Sequence, residues 1–155
     1  MRSAGHRLFA RDGFVAGVQI PVTDLVRSIE WYGQVFGFEP EWEFADADGV
    51  VRGVAGYVSD GAAGLSLRLN PEKAEALQGF DPVNWAVATR RDLNDWIEHL
   101  DGLGIPHSPE IEASIGWLLV FHDPDGVEIH LYTDESHGVD HGDLPGYGRR
   151  VGMAG

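Results

Sequence analysis

The sequence predicts an α+β protein in which one order of elements, a strand, a helix and then strands, occurs twice. Three observations carry this. Apolar residues alternate along residues 14–22, 65–69 and 127–132. Helical spacing follows two polar starts, at residues 23–24 and at residue 92. The final strand of each half follows a turn rich in Asp and Gly.

The elements follow in order. Residues 1–13 show no period and are expected to be a lead-in. Along Phe14 to Val22, apolar Val18, Ile20 and Val22 alternate with Gly17, Gln19 and Pro21, so the strand has two unlike faces. Thr23 and Asp24 carry side-chain oxygens that can take the free N–H groups of a first helical turn. Leu25, Ile29, Tyr32 and Phe36 then fall at helical spacing, and Gly37 fits the left-handed stop. Residues 38–70 read as strands and turns, ending in Leu65, Leu67 and Leu69 against Ser66, Arg68 and Asn70. The halves are expected at 14–70 and 82–132, joined by a connector at 71–81 and followed by a polar tail at 133–155. In the second half, Val83 to Thr89 is strand-like. Asp92 to Leu103 is amphipathic, with Leu93, Trp96, Ile97, Leu100 and Leu103 on one side and Gly104 as the stop. Trp117 to Phe121 is a strand, Asp123-Pro124-Asp125-Gly126 a strong turn, and Val127 to Tyr132 the last strand. Trp85 and Trp96 are expected between sheet and helix.

Composition narrows the function. Eleven Lys and Arg against 25 Asp and Glu give a formal charge of −14. Such a field repels phosphate backbones and anionic bilayers, so neither nucleic acid nor a membrane is an expected partner. The absence of cysteine excludes a disulfide framework and a thiol nucleophile. No apolar run approaches a membrane span, and residues 1–14 lack the apolar stretch of a signal peptide, so a soluble, cytoplasmic protein is expected. No Gly-x-Ser-x-Gly elbow and no phosphate-binding glycine loop occurs.

Three segments bear a specific likeness: Val18 to Tyr32 (VQIPVTDLVRSIEWY) with Phe36-Gly37-Phe38, Asp92 to Ile105 (DLNDWIEHLDGLGI), and Val120 to Leu131 (VFHDPDGVEIHL). With the element order, they make the chain resemble the vicinal oxygen chelate superfamily of glyoxalases, bleomycin-resistance proteins and extradiol dioxygenases. The resemblance implies two βαβββ modules forming a pseudo-symmetric curled sheet around a cavity, with the helices outside. It also implies a homodimer. By strand parity, Gly17, Gln19 and Pro21, Ser66, Arg68 and Asn70, and Glu128, His130 and Tyr132 then point inward.

Enzymatic members of that superfamily hold a divalent metal on His, Glu or Gln at inward positions. Here the first-strand position is Gly17, its second-half match is Pro82, Asn84 or Trp85 according to register, and Arg68 stands opposite in pattern to His130. Only His130 is a good ligand, so no metal or other cofactor is expected at the usual place; Glu128 and His122 are the residues that would supplement His130 in a relocated site. His130 is the candidate acid/base, with Glu128 as a second catalytic candidate or as a salt-bridge partner of Arg68. Arg68 suits a carboxylate or carbonyl-rich ligand, Gln19 and Asn84 are orienting groups, and Tyr132 and Trp117 are further ligand-binding candidates. His99, His107, His137 and His141 are expected on the surface. Two functions remain: a protein that encloses a small organic molecule with one anionic or enolisable group, without the usual metal; or an enzyme, either a metal-free isomerase, cyclase or lyase using His130, or a metal-dependent lyase or dioxygenase with displaced ligands.

Overall fold

A computed structural model describes residues 16–152 apart from residue 62. The expected lead-in and the start of the first strand at Phe14 lie outside the described residues. The chain divides into two compact units between residues 74 and 75.

The first unit runs β1 (Val18–Val22), α1 (Leu25–Phe36), β2 (Glu39–Ala45), β3 (Val51–Val58) and β4 (Ala63–Leu69). Its sheet has the order β1-β4-β3-β2, with β1 parallel to β4 and the other pairs antiparallel. Asp24 caps α1 by accepting the Arg27 N–H at 3.0 Å, and Gly37 ends the helix at φ 64°. Tyr32, Val35 and Phe36 of α1 are buried, as are Ile20, Val22, Leu65 and Leu67 of the strands. Between the buried leucines of β4, Ser66 and Arg68 are only half-buried, so the alternation read from the sequence is realised as two faces. β2 lies at one edge of the sheet and is exposed along its length. It meets β3 through a bulge between Pro40 and Trp42. Gly56 is obligatory there, because a Cβ on it would collide with the Glu39 carbonyl oxygen.

The second unit repeats the plan: β5 (Asn84–Val87), α3 (Arg90–Gly102), β6 (Ile111–Glu112), β7 (Trp117–His122) and β8 (Glu128–Thr133), in the order β5-β8-β7-β6 with β5 parallel to β8. A short α2 (Pro71–Ala76) spans the division, within the expected connector. The fold is therefore α+β, with a βαβββ arrangement in each unit. α3 begins at Arg90, two residues before the polar start at Asp92. Its cap is Thr89, whose side chain accepts the Asp92 N–H while Asp92 accepts the Thr89 N–H. Leu93 and Leu100 of α3 are fully buried; Trp85 and Trp96 are half-buried at its margin. Among the described residues, no helix is long and apolar enough to cross a membrane.

Two segments are more ordered than their composition suggests. Residues 134–150 do not trail away from the sheet. Asp134 and Glu135 donate their N–H groups to Val87 and Ala88, His137 donates its backbone N–H to Ile115, and Gly148 donates to Ser114. His107, expected to be solvated, bridges α3 to the loop that follows it. One ring nitrogen lies 2.6 Å from the Ser108 carbonyl oxygen and the other 2.8 Å from Asp101 Oδ1. Both neighbours are acceptors, so the Ser108 carbonyl first and Asp101 second raise the His107 pKa above its ordinary 6.5. A raised folded value stabilises the native state fully below the unfolded pKa and is lost as pH rises through the folded value. Wild type should therefore exceed His107→Gln in stability most below about pH 6, with the gap shrinking as pH climbs above the ordinary histidine range. Urea denaturation of both proteins from about pH 5.5 to 8.5 checks the slope.

Candidate functional site

Which side chains can meet a ligand follows from the sidedness of each sheet. In the second unit, Leu119, Phe121, Ile129 and Leu131 are buried on the side that α3 covers. The alternate positions, Leu118, Val120 and His122 on β7 and Glu128, His130 and Tyr132 on β8, stand on the other face. Register places Asn84, His130 and Val120 in one row across three strands, and Glu128 beside His122.

His130 is the centre of this face. Its Nε2–H donates to Glu128 Oε1 at 2.6 Å, and its Nδ1 lies 3.3 Å from Asp81 Oδ2. The other oxygen of Glu128 is 3.4 Å from His122 Nε2. His130 is the most enclosed of the four, at 19 % side-chain exposure, and His122 the most open, at 52 %. The His130 hydrogen bond holds the Glu128 carboxyl below the ordinary carboxylate range, against the opposing pull of burial. Asp81 was not singled out by sequence reasoning, since it sits in the connector. Two backbone bonds bring it here: Gly79 N–H to the Gly126 carbonyl, and Glu128 N–H to the Phe80 carbonyl. They lay residues 79–81 along the start of β8. The available signal was the sequence Asp81-Pro82 entering the strand that pairs with β8.

The remaining candidates are distributed differently. Asn84 neighbours His130 in the ladder. The Tyr132 hydroxyl oxygen accepts the N–H groups of Ile115 and Gly116, so it orders a loop at one end of the face. Trp117 lies on the α3 side, with the Arg90 guanidinium 4.7 Å from its ring centroid. In the first unit, Gln19 lines a groove of about 300 Å³ together with Trp42, Ala55, Tyr57 and Ser66. Arg68, on the same face, stacks over Phe44 at 4.5 Å, and its buried Nε has no hydrogen-bond partner among the described residues. Glu128, the salt-bridge partner considered for it, is engaged by His130 and His122.

Of the positions where the family pattern puts metal ligands, His130 is a good donor and the others are not. A Cβ on Gly17 would lie 2.9 Å from the Gly64 carbonyl oxygen, so the backbone closes that position to any side chain. Asn84 is a weak donor and Arg68 is a cation. A different donor set exists in the second unit, because one ligand atom each from Asp81, Glu128 and His130 lie within 4.8 Å of one another.

The sequence profile of the Glyoxalase/Bleomycin resistance protein/Dioxygenase superfamily matches residues 15–131, and the chain belongs to that superfamily. No curated protein matches its sequence. Among solved structures, a glyoxylase/bleomycin resistance protein/dioxygenase domain from Frankia sp. EAN1pec is 23 % identical, with TM-score 0.62 over 78 % of this chain and 97 % of that one. The fosfomycin resistance protein FosX from Listeria monocytogenes is 13 % identical, with TM-score 0.61 over 79 % and 94 %. Lactoylglutathione lyase from Agrobacterium tumefaciens is 14 % identical, with TM-score 0.61 over 81 % and 96 %. These likenesses establish the fold. One FosX structure, of a mutant protein, is a complex with Mn(II) and 1S,2S-dihydroxypropylphosphonic acid.

The closure at Gly17 has a direct consequence. Gly17→Ala should destabilise the protein by about 1–3 kcal/mol through overpacking against the Gly64 backbone. A midpoint shift in urea denaturation measures it; an unchanged midpoint would show that the position can accept a side chain after all.

Proposed function

We propose that the chain binds a small, partly apolar organic molecule carrying one acidic or enolisable group, that this group meets His130, and that no metal at the family-type position takes part. The observation that supports this is the gap between His130 Nδ1 and Asp81 Oδ2, 3.3 Å wide. With the Nε2–H committed to Glu128, a ring nitrogen and a carboxylate oxygen face each other as two acceptors. At that distance a single proton bridges them, and the O–H of an enol, phenol or acid reaches Nδ1 by taking the place of the Asp81 oxygen. Glu128 fixes the ring and its tautomer, His130 gives or takes the proton at Nδ1, and Asp81 stabilises the charged ring. The apolar neighbours Val120 and Leu118 supply a dry surface for the rest of the molecule. The charge of −14 disfavours a polyanion and leaves a single acidic group as the better match. The first reading is thus a binding protein; turnover follows if the proton passes to a second atom of the ligand.

A second reading is favoured by the Asp81, Glu128 and His130 donor set. A divalent ion there would be held by those three residues and would supply Lewis-acid chemistry to a ligand oxygen. As placed, Glu128 receives the Nε2–H of His130, so all three would ligate only once an ion displaced that proton. The proton-based reading keeps the His130–Glu128 bond and asks only the Asp81 side chain to give way.

The test is a panel of aryl carboxylic acids and aryl 1,3-dicarbonyl compounds, screened by thermal shift on metal-stripped protein. Hits should lose about tenfold or more in affinity in His130→Gln, as expected for loss of a charge-assisted hydrogen bond. Deuterium uptake at the acidic carbon of a bound dicarbonyl separates an enzyme from a binder. Affinity unchanged by His130→Gln overturns the proposal. Binding that appears only with added Mn(II) and vanishes in Asp81→Asn favours the second reading.

A further inference from the structure

The segment after β8 carries two histidines that the site above does not use. His137 and His141 have ring centroids 5.2 Å apart, and His141 lies with its Nε2 2.7 Å from Glu112 Oε1 on β6. We infer that Glu112, His137 and His141 form a divalent-metal site of the zinc class, which clasps the segment after β8 to the β6–β7 hairpin.

Four features carry the inference. One ligand atom from each of the three residues lies within 4.8 Å of the others. Two imidazoles and one carboxylate, with the remaining positions left to water, suit zinc and its borderline neighbours over calcium or magnesium. His137 is oriented as metal-bound histidines are, because its Nε2 donates to the Ala113 carbonyl at 2.7 Å and so leaves Nδ1 with the lone pair. That lone pair now accepts the Val139 N–H at 3.0 Å, and Val139 is about half exposed, so water can replace the bond. The His141 ring is held at 16 % side-chain exposure against Tyr147, whose hydroxyl donates to the Glu112 carbonyl. The ligands thus come from positions already pinned; zinc would displace the proton now shared by His141 Nε2 and Glu112 Oε1 and part that 2.7 Å pair to about 3.4 Å, the edge of a tetrahedral site. The protein's negative field also draws cations toward the site.

The site shares no residue with the His130 cluster, so the two stand or fall separately. Protein without a histidine tag, stripped of metal, is titrated with zinc by calorimetry and with cobalt by visible absorption, while chymotrypsin cleavage within residues 134–150 is followed. Zinc should bind with one equivalent per chain at this site and slow the cleavage at least fivefold. His137→Gln and His141→Gln should each weaken it at least tenfold, Glu112→Gln should weaken it as well, and His130→Gln should leave it intact. Thermal unfolding of each metal-free variant, and a Tyr147→Phe control that keeps all three ligands, separate loss of a ligand from loss of the fold. A second equivalent removed only by His130→Gln leaves the inference standing. Absence of binding below millimolar zinc, zinc lost only in His130→Gln, or affinity unchanged in both histidine variants overturns it.

Discussion

Each sheet can bury only one face under its helix, and the candidate ligand-facing surface follows from that constraint. Leu119, Phe121, Ile129 and Leu131 are essentially excluded from water beneath α3. Because strand side chains alternate strictly, their burial leaves Glu128, His130 and Tyr132 no choice of side. A one-residue slip of β8 would bury a glutamate and a histidine and expose Ile129 and Leu131. At roughly 25 cal/mol per Å2 of apolar surface, such a slip would cost several kcal/mol for the two side chains alone, before the buried charge is counted. The position of His130 is therefore as secure as the hydrophobic core behind it. Asp123 reinforces the register, since its carboxylate accepts the N–H groups of Asp125 and Val127 and shapes the turn that launches β8.

The same constraint explains what was legible in the sequence. Period-two alternation announced β1, β4 and β8 and the side on which each polar residue stands, and helical spacing with polar starts announced α1 and α3. What alternation cannot show is which residues outside the strands come alongside. Asp81 reaches His130 through backbone bonds at Gly79 and Glu128, a contact between main chains that side-chain pattern does not encode. The start of α3 was misplaced for a related reason. Apolar spacing marks the helix only from Asp92, yet the reciprocal bonds of Thr89 and Asp92 begin it at Arg90. The segment after β8 is polar and glycine-rich, and its order comes from carbonyl partners on β5, on the loop after it and beside β6. Trp117 shows the limit from the other side. It begins a strand, and its parity carries it to the helix face beneath Arg90.

Superfamily membership and site chemistry are separate conclusions here. The fold is shared with proteins whose activities differ, so it constrains where a ligand can sit without saying what is done to it. The closed backbone at Gly17 removes one family-type donor position outright. In its place the chain offers a histidine locked by Glu128 and facing Asp81, an arrangement whose natural currency is a proton. The first unit adds a separate feature, an arginine stacked on Phe44 beside an aromatic groove.

The proposed ligand site is the α3-free face of the second sheet, centred on His130. A crystal structure of the wild-type protein grown with an aryl 1,3-dicarbonyl compound tests it most directly. A ligand oxygen should lie within hydrogen-bond distance of His130 Nδ1, with the Glu128 bond to Nε2 retained and the aryl group over Val120 and Leu118. A ligand bound elsewhere, with His130 and Asp81 undisturbed, would contradict it.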